Sequence, residues 1–209
     1  MATPPPSAAA PWTANVRDMK RVAILAAASE VFGENGLQGA TMREIAQRAG
    51  CTTGAIYPLF ASKELIYAEL LATSLADLHS HVVAAAQGKG AGQPHERAAK
   101  AFLDYYLARP YEVNLGLYAF NGLKKLGVGK AHDSALNKAL IDTLVLLSPH
   151  ERRTRNSPPD ADAMAAFAQL IGTLVLHQAG RLQFSKLSPR QLVEHALTTR
   201  RRAAGPQET

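Results

Sequence analysis

The apolar positions of this chain recur with helical spacing almost from end to end. Ile24, Leu25, Ala28, Val31 and Phe32 fall at i, i+1, i+4, i+7 and i+8, which places them on one face of a helix. Gly33 and Gly36 predict its end. Thr41 then precedes a second, short apolar stripe of Met42, Ile45, Ala46 and Ala49, and Glu44 stands three residues after it. That spacing is a capping box, in which the hydroxyl takes a backbone donor and the carboxylate reaches back to the cap. Gly50 breaks the stripe, and Thr52 or Thr53 can cap a third short helix ending near Phe60. Ser62 opens a long helix running to about Gln87.

Residues 88–94 (GKGAGQP) predict a flexible break. Helical periodicity returns over about 95–109, 110–127, 130–148, 160–180 and 188–203, with Pro110 suited to a first-turn position. The polar stretch 150–160 reads as a turn-rich connection. No segment alternates with period two, and no repeat of 20–50 residues appears. The expectation is an all-α chain of about nine helices: an N-terminal three-helix domain followed by a C-terminal helical bundle.

The stretch TMREIAQRAGCTTGAIYPLF (41–60) reads as helix, tight turn, helix. A glycine at position 50 permits the positive φ that a sharp turn needs. The second helix begins with small polar residues, which let a backbone approach bases and phosphates, and its free amides favour an anion. In a helix-turn-helix, that second helix enters the major groove. By spacing alone, an ordinary pair of core helices joined by a glycine turn is an equal alternative.

Residues 22–71 resemble the N-terminal domain of the tetracycline-repressor (TetR) family. The quoted parts are ILAAASEVFGENGLQGATMREIAQRAG, CTTGAIYPLF and SKELIYAELL. The shared features are an Ala-rich first helix ending in Phe and Gly, a Thr that begins the second helix, an Ile-Ala pair, and a Gly-x-x-Tyr helix leading to Phe and Ser-Lys-Glu. Residues 1–11 are rich in Pro and Ala, which predicts disorder, and the chain is expected to divide into a disordered arm over 1–14, a helix-turn-helix domain over 15–62, a helical domain over 63–203 to which the resemblance gives ligand binding and dimerisation, and a disordered tail over 204–209. The resemblance implies DNA contacts from Thr41, Arg43, Thr52, Thr53, Gly54, Tyr57 and Lys63, with Tyr57 and Lys63 on phosphates. Arg43 is the best candidate for a guanine contact.

Two residues depart from the family pattern. Leu59 stands where His or Tyr is common and cannot donate to a phosphate. Pro58 removes a backbone donor and presses on the carbonyl of Gly54, which predicts a short or kinked recognition helix. Cys51 reads as a small hydrophobe. Arg17, Lys20 and Arg21 form either a phosphate-reaching arm or a solvated helix start.

The C-terminal two-thirds carries no motif. Phe102, Tyr105, Tyr106, Tyr118 and Asn121 are candidates for lining an effector pocket, although each aromatic is equally suited to filled core. His177 and the apolar or small residues Phe167, Ala168, Ile171, Gly172, Val175, Leu192 and Ala196 are candidates for a dimer interface of two helices per subunit, as in the family.

Charge adds less than its total suggests. The formal net charge is +6, which favours polyanion partners. Yet over residues 1–71 six basic side chains (Arg17, Lys20, Arg21, Arg43, Arg48, Lys63) balance six acidic ones (Asp18, Glu30, Glu34, Glu44, Glu64, Glu69). Much of the surplus falls after residue 150, and the Arg200–Arg202 run reads as solvated.

A single cysteine excludes an intramolecular disulfide or a multi-cysteine metal cage. No apolar run approaches the roughly 20 residues of a membrane span, and residues 1–11 lack a secretory pattern. The expected location is therefore cytoplasmic, with no membrane partner and no cofactor. Scattered histidines, without a metal spacing, a phosphate loop or a nucleophile elbow, argue against an enzyme.

The partners expected are double-stranded operator DNA, a small-molecule effector and a second copy of the chain. The expected function is a dimeric repressor on a palindromic operator, released by that effector. The alternatives are an activator or ligand-independent regulator of the same fold, and an interaction protein that kept the fold without binding DNA.

Overall fold

The computed structural model describes residues 11–118, 130–150 and 157–203. Among the described residues all regular structure is helical. The chain divides into two compact units, Met1–Leu70 and Leu71–Thr209.

The first unit begins with α1 (Pro11–Gly39), which starts inside the segment expected to be unstructured. Gly33 does not end it. The break comes at Gly36, with φ 64° and ψ 174°, a conformation open only to a residue without a Cβ. A final turn then follows through Gly39, burying Leu37. Helix α2 (Met42–Arg48) packs against α1, and α3 (Thr53–Ile56) against α2. Ile24, Ala28, Val31, Phe32, Ile45, Ala46, Ile56 and Phe60 are all buried, while Leu25 and Met42 are half-buried. Each large apolar side chain in that core contributes about 1.5–3 kcal/mol by leaving water.

The boundary between units falls inside α4 (Lys63–Gln87) rather than at the expected position 62/63. The reason is packing: the first turns of α4 bury Ile66 and Tyr67, and the Tyr67 ring meets Phe32 edge-on at 5.5 Å.

The second unit comprises the rest of α4 with α5 (Pro94–Leu107), α6 (Pro110–Tyr118), α7 (Lys130–Leu144), α8 (Ala161–Gln178) and α9 (Pro189–Ala203). The part of the expected 110–127 helix beyond Tyr118 lies outside the described residues. Helix α5 is the core element, burying Ala98, Ala99, Ala101, Phe102, Leu103, Tyr105 and Tyr106 while packing on α6, α8 and α9. A 3-10 segment, Arg181–Ser185, follows α8 and is not visible in the sequence pattern; Gly180 (φ 68°) and Lys186 (φ 56°) bracket it.

The corner at 88–93 is braced rather than simply flexible. The Arg97 guanidinium donates to the carbonyls of Ala85 (3.0 Å), Ala86 (2.6 Å), Gly90 (3.3 Å) and Gly92. It thereby satisfies the Ala86 carbonyl in the last turn of α4 and joins that turn to the corner.

One buried charge ties α9 to α5. Glu96 is 3% exposed. Its carboxylate accepts from the Gln93 amide (3.0 Å) and from Arg201 (3.0 and 2.6 Å). Burial alone pushes the Glu96 carboxyl up, but the Arg201 hydrogen bonds, the Gln93 amide and nearby positive charge outweigh it and hold it below the usual range. Gly92 makes room for this arrangement: its φ is +91°, and an added Cβ would lie 2.6 Å from Glu96 Oε2.

Two substitutions test this tie by urea unfolding. Gly92→Ala is expected to destabilise by about 1–3 kcal/mol through positive-φ strain and displacement of the carboxylate. Arg201→Ala is expected to be less stable than the parent at neutral pH. Because Glu96 titrates lower in the folded state than in the unfolded chain, the stabilisation is present above the ordinary carboxylate range and lost as pH falls through the folded value. The gap between the two proteins should therefore close in acid.

Candidate nucleic-acid interface

Local chemistry builds a helix, a tight turn and a second helix over residues 41–60. Thr41, in extended conformation, caps α2. Its Oγ1 accepts from the Glu44 amide (3.2 Å), and Glu44 Oε2 accepts from the Thr41 amide (2.8 Å) and hydroxyl (2.8 Å).

At the other end Gly50 takes φ 67°. Its amide donates to Gln47 O (3.2 Å), and the Cys51 amide donates to Ala46 O (2.9 Å). Those two bonds form a Schellman stop, which satisfies the last carbonyls of α2 and turns the chain.

Helix α3 is four residues long. The shortness expected from Pro58 is observed, and it has a simple cause. Pro58 has no amide, so the ladder closes instead through the Leu59 and Phe60 amides, both donating to Ile56 O (2.8 and 2.9 Å). Ile56, fully buried, and Phe60, 3% exposed, anchor the segment from below.

Above that anchor Thr52, Gly54, Tyr57 and Pro58 are exposed and Thr53 is half-buried. Tyr57 is 55% exposed. The side chains of Thr52, Thr53, Tyr57 and Arg43 make no hydrogen bond or ion pair among the described residues, and all but Thr53 are exposed. The structure therefore brings together Thr52, Thr53, Gly54 and Tyr57 on the short α3 segment, with Thr41 and Arg43 at the start of α2.

Other cations of the unit are already paired within it. The Lys63 ammonium donates to the carbonyls of Ala40 (2.8 Å) and Gln38 (3.4 Å) at the end of α1. Its first role is thus to join α4 to α1. Arg21 does not extend as an arm. It pairs with Glu69 (Nε to Oε1, 3.0 Å), donates to Leu59 O (3.4 Å) and lies over the Phe60 ring at 4.5 Å. Arg48 binds Glu34 (2.9 and 2.8 Å) and Glu30 (3.2 Å), bracing α2 on α1. Hydrogen bonding to Arg48 lowers the Glu34 carboxyl, against a smaller effect of burial. Sequence reading missed these bridges because their partners stand 14 to 48 residues apart. Arg17 and Lys20, by contrast, are exposed and without a partner among the described residues.

The remaining site candidates lie in the second unit. Phe102, Tyr105 and Tyr106 form a buried aromatic cluster, with ring centroids 5.1 Å (Phe102–Tyr106) and 5.3 Å (Tyr105–Tyr106) apart. Tyr105 donates to Ser74 O (3.1 Å) and Glu112 Oε2 (2.7 Å). The Tyr106 hydroxyl, on a residue 5% exposed, has no hydrogen-bond partner among the described residues. The side chain of Tyr118 and all of Asn121 lie outside the described residues.

On α8, Phe167 is buried against Phe102 (6.0 Å, edge-on) and so faces its own core instead of a partner. Ala168, Gly172, Val175 and His177 are exposed, while Ile171, Leu192 and Ala196 are half-buried.

Known proteins resemble this chain in sequence and in fold. Residues 24–70 match the family model described as bacterial regulatory proteins, tetR family. The chain is 39% identical over 90 residues to the HTH-type transcriptional activator FasR of Mycolicibacterium smegmatis, a match covering 43% of this chain and 41% of FasR. It is 37% identical over 76 residues to the HTH-type transcriptional repressor KstR2 of Rhodococcus jostii, covering 36% and 35%. The matches thus span well under half of these relatives. A crystal structure of a TetR family transcription regulator from Marinobacter aquaeolei VT8 aligns with TM-score 0.60 at 15% identity, covering 86% of this chain and 94% of that one; this similarity concerns the fold.

The capping box yields a stability prediction. Thr41→Ala should cost about 0.5–2 kcal/mol in urea unfolding, while Glu44→Gln, which can still accept from the cap amide, should cost less.

Proposed function

We propose that this chain, whose residues 24–70 match the family model of bacterial regulatory proteins, tetR family, is a transcriptional regulator, not an enzyme, which binds operator DNA as a homodimer and is released by a small effector. The observation that carries the reading is the α2–α3 pair. A Schellman turn leads into a four-residue helix that exposes Thr52, Gly54 and Tyr57, and the hydroxyls of Thr52, Thr53 and Tyr57 have no hydrogen-bond partner among the described residues to give up on meeting DNA.

Phosphate contacts from Tyr57, from the Thr41 end of α2 and from Lys63 would set register. Arg43 would read a base edge. Lys63 keeps an N–H to offer beyond its two carbonyls. Arg17 and Lys20 add long-range attraction.

Dimerisation is supported by the outer face of α8. Met164, Val175 and Leu176 are 46%, 42% and 42% exposed, beside exposed Ala165, Ala168 and Gly172. An uncharged face of small and apolar side chains is costly in water and suits close helix packing with a copy of itself. A two-fold dimer would present two α3 segments to major grooves about 34 Å apart.

The effector reading rests on Tyr106. Burial, reinforced by the neighbouring Tyr105 and Glu112, pushes its hydroxyl well above the usual tyrosine range, so it stays a neutral donor. A buried donor without a partner costs about 1–3 kcal/mol, which a ligand acceptor would recover. Among the described residues no helix is long and apolar enough to cross a membrane, and the proposed location is the cytoplasm.

Direction of control is read as repression, as KstR2 is named, although FasR is named an activator. A reporter fused to the chain's own promoter decides between them: deletion of the gene should raise expression.

Fluorescence anisotropy on flanking intergenic DNA across a salt series tests DNA binding. Affinity should fall steeply with salt, and Tyr57→Phe should weaken it about 5- to 30-fold. If Arg43 reads a base, Arg43→Ala will lower the preference for operator over random duplex; if it holds only a phosphate, all duplexes weaken alike and the salt slope drops by about 1 per protomer. Specific binding absent from a genome-wide fragment selection would overturn the regulator reading in favour of an interaction protein. Sedimentation velocity tests the dimer. Leu176→Glu should yield monomer at micromolar concentration without loss of helicity, and an unchanged dimer would move the interface elsewhere.

A further inference from the structure

The second unit contains a cavity of about 580 Å³ between the first turn of α5, the start of α8 and the end of α9. Its volume lies within the range of small-molecule sites, about 300–1,000 Å³. None of Phe102, Tyr105 or Tyr106 lines it, so it is separate from the aromatic cluster invoked above for the effector.

The cavity has a built charge pattern. Its apolar lining comes from Ala99, Leu147, Ala166 and Leu197, all buried or nearly so. Two acidic residues line it, and both are already matched. Glu96 is held by Arg201 and the Gln93 amide, and Asp162 meets His150 Nε2 at 3.1 Å. His95 is half-buried; burial, with Arg201, His150 and Arg200 nearby, holds its imidazole below the usual range despite Glu96, so at neutral pH it is an uncharged hydrogen-bonding wall. Arg200 is left over: it lines the cavity, is half-buried, and has no ion pair or hydrogen bond among the described residues. Of the Arg200–Arg202 run, it is the member whose charge this cavity leaves uncompensated.

These features select a ligand class. A guanidinium without a partner among the described residues presents a planar fork that matches a carboxylate in bidentate fashion. Carboxylates of Glu96 and Asp162 in the walls disfavour a dianion such as a phosphate monoester. The apolar lining calls for a hydrocarbon body. A metal ion is poorly served, since among the described residues no group of three or more His, Cys, Asp or Glu is placed to hold one.

We propose that this cleft binds a small monocarboxylate with a compact apolar body, its carboxylate on Arg200 and its body against Ala99, Leu147, Ala166 and Leu197. Such a ligand would bridge α5 to α8 and α9 beside the Glu96–Arg201 tie. The inference stands apart from DNA binding and from the Tyr106 site, so failure of either leaves it intact.

Isothermal titration of the full chain with 2-naphthoate, and with neutral 2-naphthamide as isosteric control, tests it. Saturable naphthoate binding is expected, with the amide weaker by about tenfold or more. Arg200→Gln, which removes a side chain without an internal partner, should weaken naphthoate about 10- to 100-fold, in line with loss of a charged hydrogen bond, and leave the amide and the circular dichroism spectrum unchanged. Tyr106→Phe should leave naphthoate affinity unaltered. Equal naphthoate affinity in Arg200→Gln and the parent, loss of binding in Tyr106→Phe, or no saturable binding at millimolar naphthoate would each overturn the assignment.

Discussion

A four-residue helix has no stability of its own: nucleation costs more than one turn returns. The segment proposed to meet DNA is such a helix, and its position depends on the burial of Ile56 beneath it. Phe60, just beyond, adds a second anchor, with the Arg21 guanidinium stacked on its ring. Everything presented by Thr52, Thr53 and Tyr57 is therefore set by packing from below. The Gly50 turn fixes where the segment begins, and Pro58 fixes where its amide ladder must close.

The same economy governs charge. Six cations are balanced by six anions over residues 1–71, yet they are not equivalent in space. Arg21, Arg48 and Lys63 hold α1, α2 and α4 together through Glu69, Glu34, Glu30 and two helix-end carbonyls. Arg17, Lys20 and Arg43 are left facing solvent. Any attraction to a polyanion would draw first on this second set, which net charge alone does not reveal.

In the second unit a single helix, α5, organises two polar features of opposite character. Near its C-terminal end Tyr105 is engaged with Ser74 and Glu112, while Tyr106 is buried beside it without a hydrogen-bond partner among the described residues. At its N-terminal end Glu96 is buried and well matched by Arg201, next to an open cleft. The α8 helix separates its faces just as clearly: Phe167, Leu170 and Leu174 face inward, and Met164, Val175 and Leu176 face out.

Helical periodicity, glycine and proline punctuation and the Thr41–Glu44 spacing were enough to determine an all-helical chain, the order of its elements and a short α3, because each is a rule about neighbours within a few residues. The stop of α1 at Gly36 rather than Gly33 was not legible, since both glycines are compatible with a helix end and only the backbone angles distinguish them. The inward direction of Phe167 was not legible either: on α8 inner and outer apolar positions look alike until α5 is placed against one of them. Contacts between residues far apart in sequence, Lys63 on the α1 carbonyls, Arg21 on Glu69 and Arg201 on Glu96, were decided by tertiary structure alone. Opposite charges are common along any chain, and only folding brings a given pair within hydrogen-bond distance.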